Sequence, residues 1–314
     1  MQTVLGVTLP FFALVLFGYV AAARRWVPGD AVPAFNGFLL YFSVPAMLFR
    51  FAAGTPFPQI ANGRYFLAWG TCGIVLVLAV TFVMRRLLHQ RLRDAAFYGL
   101  SAAVANAGFM GVPLLVALLG TNAAAPTILA IVADLVMVAS VGLVLAEMDG
   151  ATERGWRADL RDAVLRIFLN PFLISMVLGA MFSGFQWKLG TPFAEIVKLL
   201  ADAAGPCALF AIGVSLVRPD APLRSPVLAL PVLAKLIVHP ALIWLTMLAF
   251  GIDEATRQVA VLVAALPSAG WVFIFAIRYE ADAGRISATI LWTTALAFVT
   301  FSGLVLLLGI GPRG

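Results

Sequence analysis

Asn106-Ala107-Gly108-Phe109-Met110-Gly111-Val112-Pro113 falls in the middle of an apolar run that extends from about residue 95 to residue 118. A run of that length crosses the hydrocarbon of a bilayer as one helix, yet this octet places two glycines and a proline at its centre. Proline removes an N–H and collides with the turn before it, and glycine is a weak helix former, so the ladder is expected to break here. At bilayer depth, unpaired backbone groups persist only where protein or water satisfies them. The octet therefore predicts an interrupted helix whose break is buried in protein or lines a cavity.

The rest of the chain sets the context. Of 314 residues, 62% are hydrophobic and 11% are charged, against about 45–50% and about 25% in soluble domains. With a mean hydropathy of +1.01, the chain reads as an all-α polytopic membrane protein. Apolar segments near 3–23, 33–54, 65–88, 95–118, 125–146, 164–184, 193–217, 226–250, 256–279 and 285–309 predict ten transmembrane helices. Barrel strands are excluded, because they alternate polar and apolar residues and these runs do not. The first segment lacks a basic n-region and precedes Arg24-Arg25, so it reads as an uncleaved helix. Cys72 and Cys207 lie inside apolar runs, which argues against a disulfide framework or a thiolate metal cage.

The formal charge of +6 is a matter of topology. Fourteen Lys and Arg fall in the loops after the first, third, fifth, seventh and ninth segments, and four on the other face. The positive-inside rule then places both termini on the non-cytoplasmic side of the cytoplasmic (inner) membrane. Nucleic acid is not an expected partner.

Sliding the sequence on itself by 161 residues sets Pro10-Phe11 on Pro171-Phe172, Gly18 on Gly179, Trp26 on Trp187, Pro45 on Pro206 and Leu48-Phe49 on Leu209-Phe210. Two five-helix units are expected, 1–146 and 164–314, joined by a cytoplasmic connector at 147–163. Five is odd, so the second unit enters from the opposite side, an inverted-topology repeat as found in secondary transporters. The offset sets Asn106 on Pro267, inside Leu266-Pro267-Ser268-Ala269-Gly270, so the fourth and ninth helices are both expected to break and to cross near the midplane. Their second halves, starting near Pro113 and Trp271, would direct helix N-termini at one site, an arrangement suited to a carboxylate. Asn106, Gly108, Gly111, Pro113, Pro267, Ser268 and Trp271 form the expected substrate site.

The Asn-x-Gly-Phe-x-Gly-x-Pro run at 106–113, with Pro10, Gly18-Tyr19, Pro45, Leu48-Phe49 and Lys235…Pro240, resembles the auxin efflux carrier (PIN-like) family, some of whose bacterial members are suggested to be malonate carriers. The resemblance spans the whole chain and implies a ten-helix fold with crossed fourth and ninth helices. It further implies a scaffold of helices 1, 2, 6 and 7, a mobile body of helices 3–5 and 8–10, and transport of organic anions. One departure is that many relatives carry an asparagine where this chain has Trp271.

Charges inside spans are costly and each is a functional candidate. Asp134 and Lys235 lie mid-span, with His239 one turn from Lys235. They read as a counter-charge or proton relay, or as a structural ion pair of Asp134 with Lys235. Glu195, Lys198 and Asp202 line one face of the seventh span, where Asp202 is deep enough to face a cavity and the other two form a solvated stripe. Arg50, near the outer end of the second span, is expected to snorkel. No Gly-x-Ser-x-Gly elbow, His-Glu-x-x-His or Walker motif is present, so neither enzymatic activity nor a cofactor is expected. The reading is a carrier of a small organic anion, a mono- or dicarboxylate, by alternating access. Alternatives are a sodium-coupled symporter of related fold, and a receptor or anion channel sharing the architecture. The broken segments hold no Asp or Glu for a cation, which favours sodium-independent transport. A homodimer through the scaffold helices is a further expectation.

Overall fold

The computed structural model describes residues 2–28, 31–56, 62–150, 171–215, 217, 223 and 225–309. Most of the expected connector, and residues 164–170 of the sixth span, lie outside the described residues. Among those described, every regular element is helical. The helices are α1 (Gln2–Ala23), α2 (31–54), α3 (Gly63–Arg86), α4a (Leu92–Ala103) and α4b (Val112–Leu119), α5 (Ala124–Glu147), α6 (Pro171–Gly184), α7 (Thr191–Ser215), α8 (Pro226–Ala249), α9a (Glu254–Ala264) and α9b (Trp271–Arg278), and α10 (Ala283–Leu307). Five stretches are long and apolar enough to cross a membrane: Pro33–Gly54, Gly63–Arg86, Ala124–Glu147, Pro226–Ala249 and Ala283–Leu307.

Helix starts follow local chemistry. Asn62, Asp253 and Asp282 accept backbone N–H bonds from Tyr65, Thr256 and Arg285 at 3.2, 2.9 and 3.0 Å, satisfying donors that a helix cannot pair itself. The Thr256 N–H holds the Asp253 carboxyl below the usual carboxylate range. Arg85 and Arg86 close α3, where cations complement the C-terminal dipole. Prolines are absorbed rather than avoided. π-turns at Leu39–Ser43, Ala107–Gly111 and Ala234–Val238 each end two residues before a proline, Pro45, Pro113 and Pro240. One wide turn takes up the missing N–H and the ring's bulk. A fourth π-turn, Asp134–Val138, has no proline after it.

Helices α1, α2, α6 and α7 pack on one another, while α3, α4a, α5, α8 and α9a form a second group. The first group touches backbone to backbone. A side-chain carbon at Gly18 would collide with the Phe210 carbonyl, and one at Gly179 with the Phe49 carbonyl. The offset of 161 converts the first contact into the second with the helices exchanged. The same offset relates two left-handed loop residues, Arg25 (φ 59°) and Gln186 (φ 55°).

Candidate functional site

The two interrupted helices meet at their breaks. Ala105 and Ser268 form an antiparallel bridge, with the Asn106 N–H donating to the Pro267 carbonyl at 2.8 Å and the Ala269 N–H to Val104 at 3.2 Å. Each break thus satisfies backbone groups of the other, which is what permits non-helical chain inside an apolar core. Asn106 caps the π-turn at Ala107–Gly111, its carbonyl accepting from Met110 and Gly111. Beyond it runs α4b with Pro113 in its first turn, where the missing N–H costs nothing. Trp271 opens α9b and meets Phe275 edge-on at 5.5 Å.

Two cavities adjoin the first break. The larger, about 380 Å³, lies among α1, α2, α7 and the π-turn, and its walls include Pro10, Arg50, Phe51, Asp202, Pro206 and Gly108. The smaller, about 20 Å³, is bounded by Met47, Asn106, Gly108, Asp134 and Trp271, among others. Met47 and Gly108 belong to both. The larger falls within the volume range of small-ligand sites.

The expected site residues divide accordingly. Asn106, Gly108 and Trp271 come together on cavity walls, joined by Asp134. Gly111 faces Leu266, whose Cδ1 would lie 2.7 Å from an added Cβ, so it serves the close approach of the two breaks. Pro267 contributes its carbonyl to Asn106. Ser268 is fully buried; its hydroxyl donates to Ser101 and its N–H to Thr293 Oγ1 at 3.2 Å. In this conformation Ser268 fastens the two breaks together and does not line either cavity.

Asp134 and Lys235 do not form the direct ion pair that was one of the two readings of their opposite charges. Asp134 accepts from the Trp69 indole at 2.7 Å through Oδ1 and from the Ala105 N–H at 3.4 Å through Oδ2. Lys235 donates to the Ala264 carbonyl at 3.0 Å and shares a 2.8 Å hydrogen bond with His239 Nδ1. No ion pair joins Asp134 to Lys235 among the described residues. Backbone groups freed by the two breaks lie nearer to each charge, and a buried charge is held by whatever satisfies its hydrogen bonds best. Trp69 connects the two sides, its ring edge-on to His239 at 5.7 Å. Lys235 and His239 are enclosed completely and reach neither cavity.

Asp202 does line the larger cavity, and there it meets a residue that the sequence had assigned to the membrane surface. Arg50 is not snorkelling: its Nη1 donates to Asp202 Oδ1 at 2.6 Å, and both side chains are about half exposed. The pairing joins α2 to α7 across 152 residues, a separation at which sequence carries no signal. Glu195 and Lys198 form an exposed pair at 3.8 Å, as the stripe predicted.

The interrupted helices, apolar span-length stretches and shared cavities are those of a polytopic transport protein. The profile of the family described as membrane transport protein matches residues 3–305, so the chain belongs to that family, and its resemblance to auxin efflux carriers is borne out. A Rhizobium meliloti (strain 1021) protein provisionally described as a malonate transporter is 32% identical over 99% of this chain and 98% of its own. The uncharacterized transporter YfdV of Escherichia coli (strain K12) is 24% identical over 88% of each chain. An uncharacterized transporter of Methanothermobacter thermautotrophicus is 25% identical over 95% of each. The chain is a multi-pass membrane protein of a transporter family and not an enzyme.

Proposed function

We propose that the protein is a secondary carrier of small organic anions in the cytoplasmic membrane, working by alternating access with the substrate at the meeting point of the two breaks. The observation that carries this reading is the bridge between Ala105 and Ser268 together with the cavity walls formed by Asn106, Gly108 and Trp271. Helix N-termini at such a place supply N–H donors and positive dipole ends to a carboxylate. The provisional description of the Rhizobium relative supports a dicarboxylate such as malonate among the substrates. Ten helices in two inverted repeats are supported by the exchanged contacts of Gly18 with Phe210 and Gly179 with Phe49. In this reading helices 1, 2, 6 and 7 form the scaffold, through which two copies pair, and the remaining helices carry the substrate. Both termini face the non-cytoplasmic side.

Counterflow in proteoliposomes tests it, because a carrier exchanges labelled for unlabelled substrate and a channel does not. Asn106→Ala is expected to weaken substrate binding by about 1–3 kcal/mol; unchanged affinity would remove Asn106 from the site. Transport is expected to persist when choline replaces sodium at fixed pH and potential, and its loss would assign the chain to sodium symport.

A further inference from the structure

We propose that Arg50 binds one carboxylate of a dicarboxylate substrate, and that Asp202 is the internal carboxylate it exchanges for that of the substrate. The proposal rests on the carrier reading above and adds to it a residue that selects dianions over monoanions.

Among the described residues, Arg50 is the one cation on the wall of the larger cavity, and Gly108 of the first break is on the same wall. Lys235 is sealed away against His239 and Ala264 and cannot meet a ligand there. The N-terminus of an interrupted helix offers only about half a positive charge, which suits a single carboxylate. A second carboxylate carried into an apolar cavity needs a full counter-charge, and Arg50 supplies it.

The geometry of the pair favours exchange. A guanidinium binds a carboxylate best through two parallel N–H bonds, yet Arg50 hydrogen-bonds Asp202 through Nη1 alone. The half-exposed side chain has further donors to offer to a ligand. An ion pair this exposed contributes little to stability, and α2 and α7 are independently joined by the Ser43 hydroxyl donating to the Leu200 carbonyl at 2.8 Å. The fold does not need the pair, so one carboxylate can replace another on Arg50 at small net cost. Asp202, once released, stays on the wall as a like charge beside the dianion and favours its departure. That is useful to a carrier, which has to let its substrate go.

The test measures dissociation constants of the detergent-solubilised full chain for malonate and for propionate, alongside a panel of other mono- and dicarboxylates. Arg50→Gln is expected to weaken malonate by at least tenfold and to change propionate less than twofold. Arg50→Lys, which keeps the charge and loses the fork, is expected to fall between. Asp202→Asn is expected to tighten malonate several-fold. An unchanged malonate-to-propionate ratio in Arg50→Gln overturns the proposal while leaving the carrier reading intact. Equal weakening in Arg50→Gln and Asp202→Asn, restored when the two are combined, makes the pair structural and also overturns it. Should Arg50→Gln fail to fold, Asp202→Asn decides alone, and no tightening overturns the proposal. If the wild-type chain binds nothing in the panel, the carrier reading itself fails.

Discussion

The two breaks solve one backbone problem with different chemistry. Ala105 and Ser268 face each other across the bridge, and each gives its N–H to a side chain from the last helix of its own half. For Ala105 the acceptor is the Asp134 carboxylate in α5; for Ser268 it is the Thr293 hydroxyl in α10. A hydroxyl suffices at the second break, so the fold requires an acceptor at this position and not a charge. The carboxylate at the first break must then be explained by its setting. It faces the small cavity beside Asn106 and Trp271, whereas Ser268 and its hydroxyl partner are sealed. The carboxylate side of the bridge thus opens onto a cavity, and the hydroxyl side is its fastening.

The comparison breaks most sharply if Asp134 is removed. Asp134→Ala would leave the Trp69 indole and the Ala105 N–H without acceptors and the Lys235 charge without its nearby counterpart. A loss of about 3–5 kcal/mol is expected, read as a large drop in thermal unfolding midpoint in detergent, and a drop of under about 1 kcal/mol would deny the carboxylate its role at the break. Gly111→Ala comes next, at about 1–3 kcal/mol, because the added methyl meets Leu266 and overpacks the contact between the two breaks. Thr293→Val removes the neutral acceptor and should cost about 1–2 kcal/mol; a cost equal to that of Asp134→Ala would erase the distinction between the two breaks. The smallest stability effect is expected from Gly108→Ala, within about 0.5 kcal/mol, since its methyl would rest 3.5 Å from Phe51 in ordinary contact. That variant sharpens the comparison in another assay. If a substrate approaches the first break closely, its dissociation constant should rise about tenfold, or ~1.4 kcal/mol, with the fold intact.

Much of this was legible in the sequence because it is written in short-range terms. Two glycines and a proline inside one apolar run announce the first break, Pro267-Ser268 announces the second, and the shared offset joins them. The spacing of Lys235 and His239 likewise put them on one helix face. What escaped was partner choice. Opposite charges in two spans invited a pairing of Asp134 with Lys235, but the orphan groups created by the breaks outcompeted each for the other. Trp69 and Thr293 carry no motif; an indole and a hydroxyl become legible only when α3 and α10 are seen against the breaks. Arg50 was misplaced for a related reason. Four residues from the end of its helix a charge ordinarily reaches the interface, and only the packing of α2 on α7 turns it toward a cavity.

The unequal charges beside the two breaks also bear on whether the two halves are interchangeable. Two copies of the first half, assembled as a homodimer, would enclose two Asp134 carboxylates with no Lys235 to offset them. Two copies of the second would enclose a pair of ammonium groups and no carboxylate. Either assembly buries like charges without compensation, which costs several kcal/mol per ion. Neither half can stand in for the other, and a single gene delivers one of each to every folded molecule.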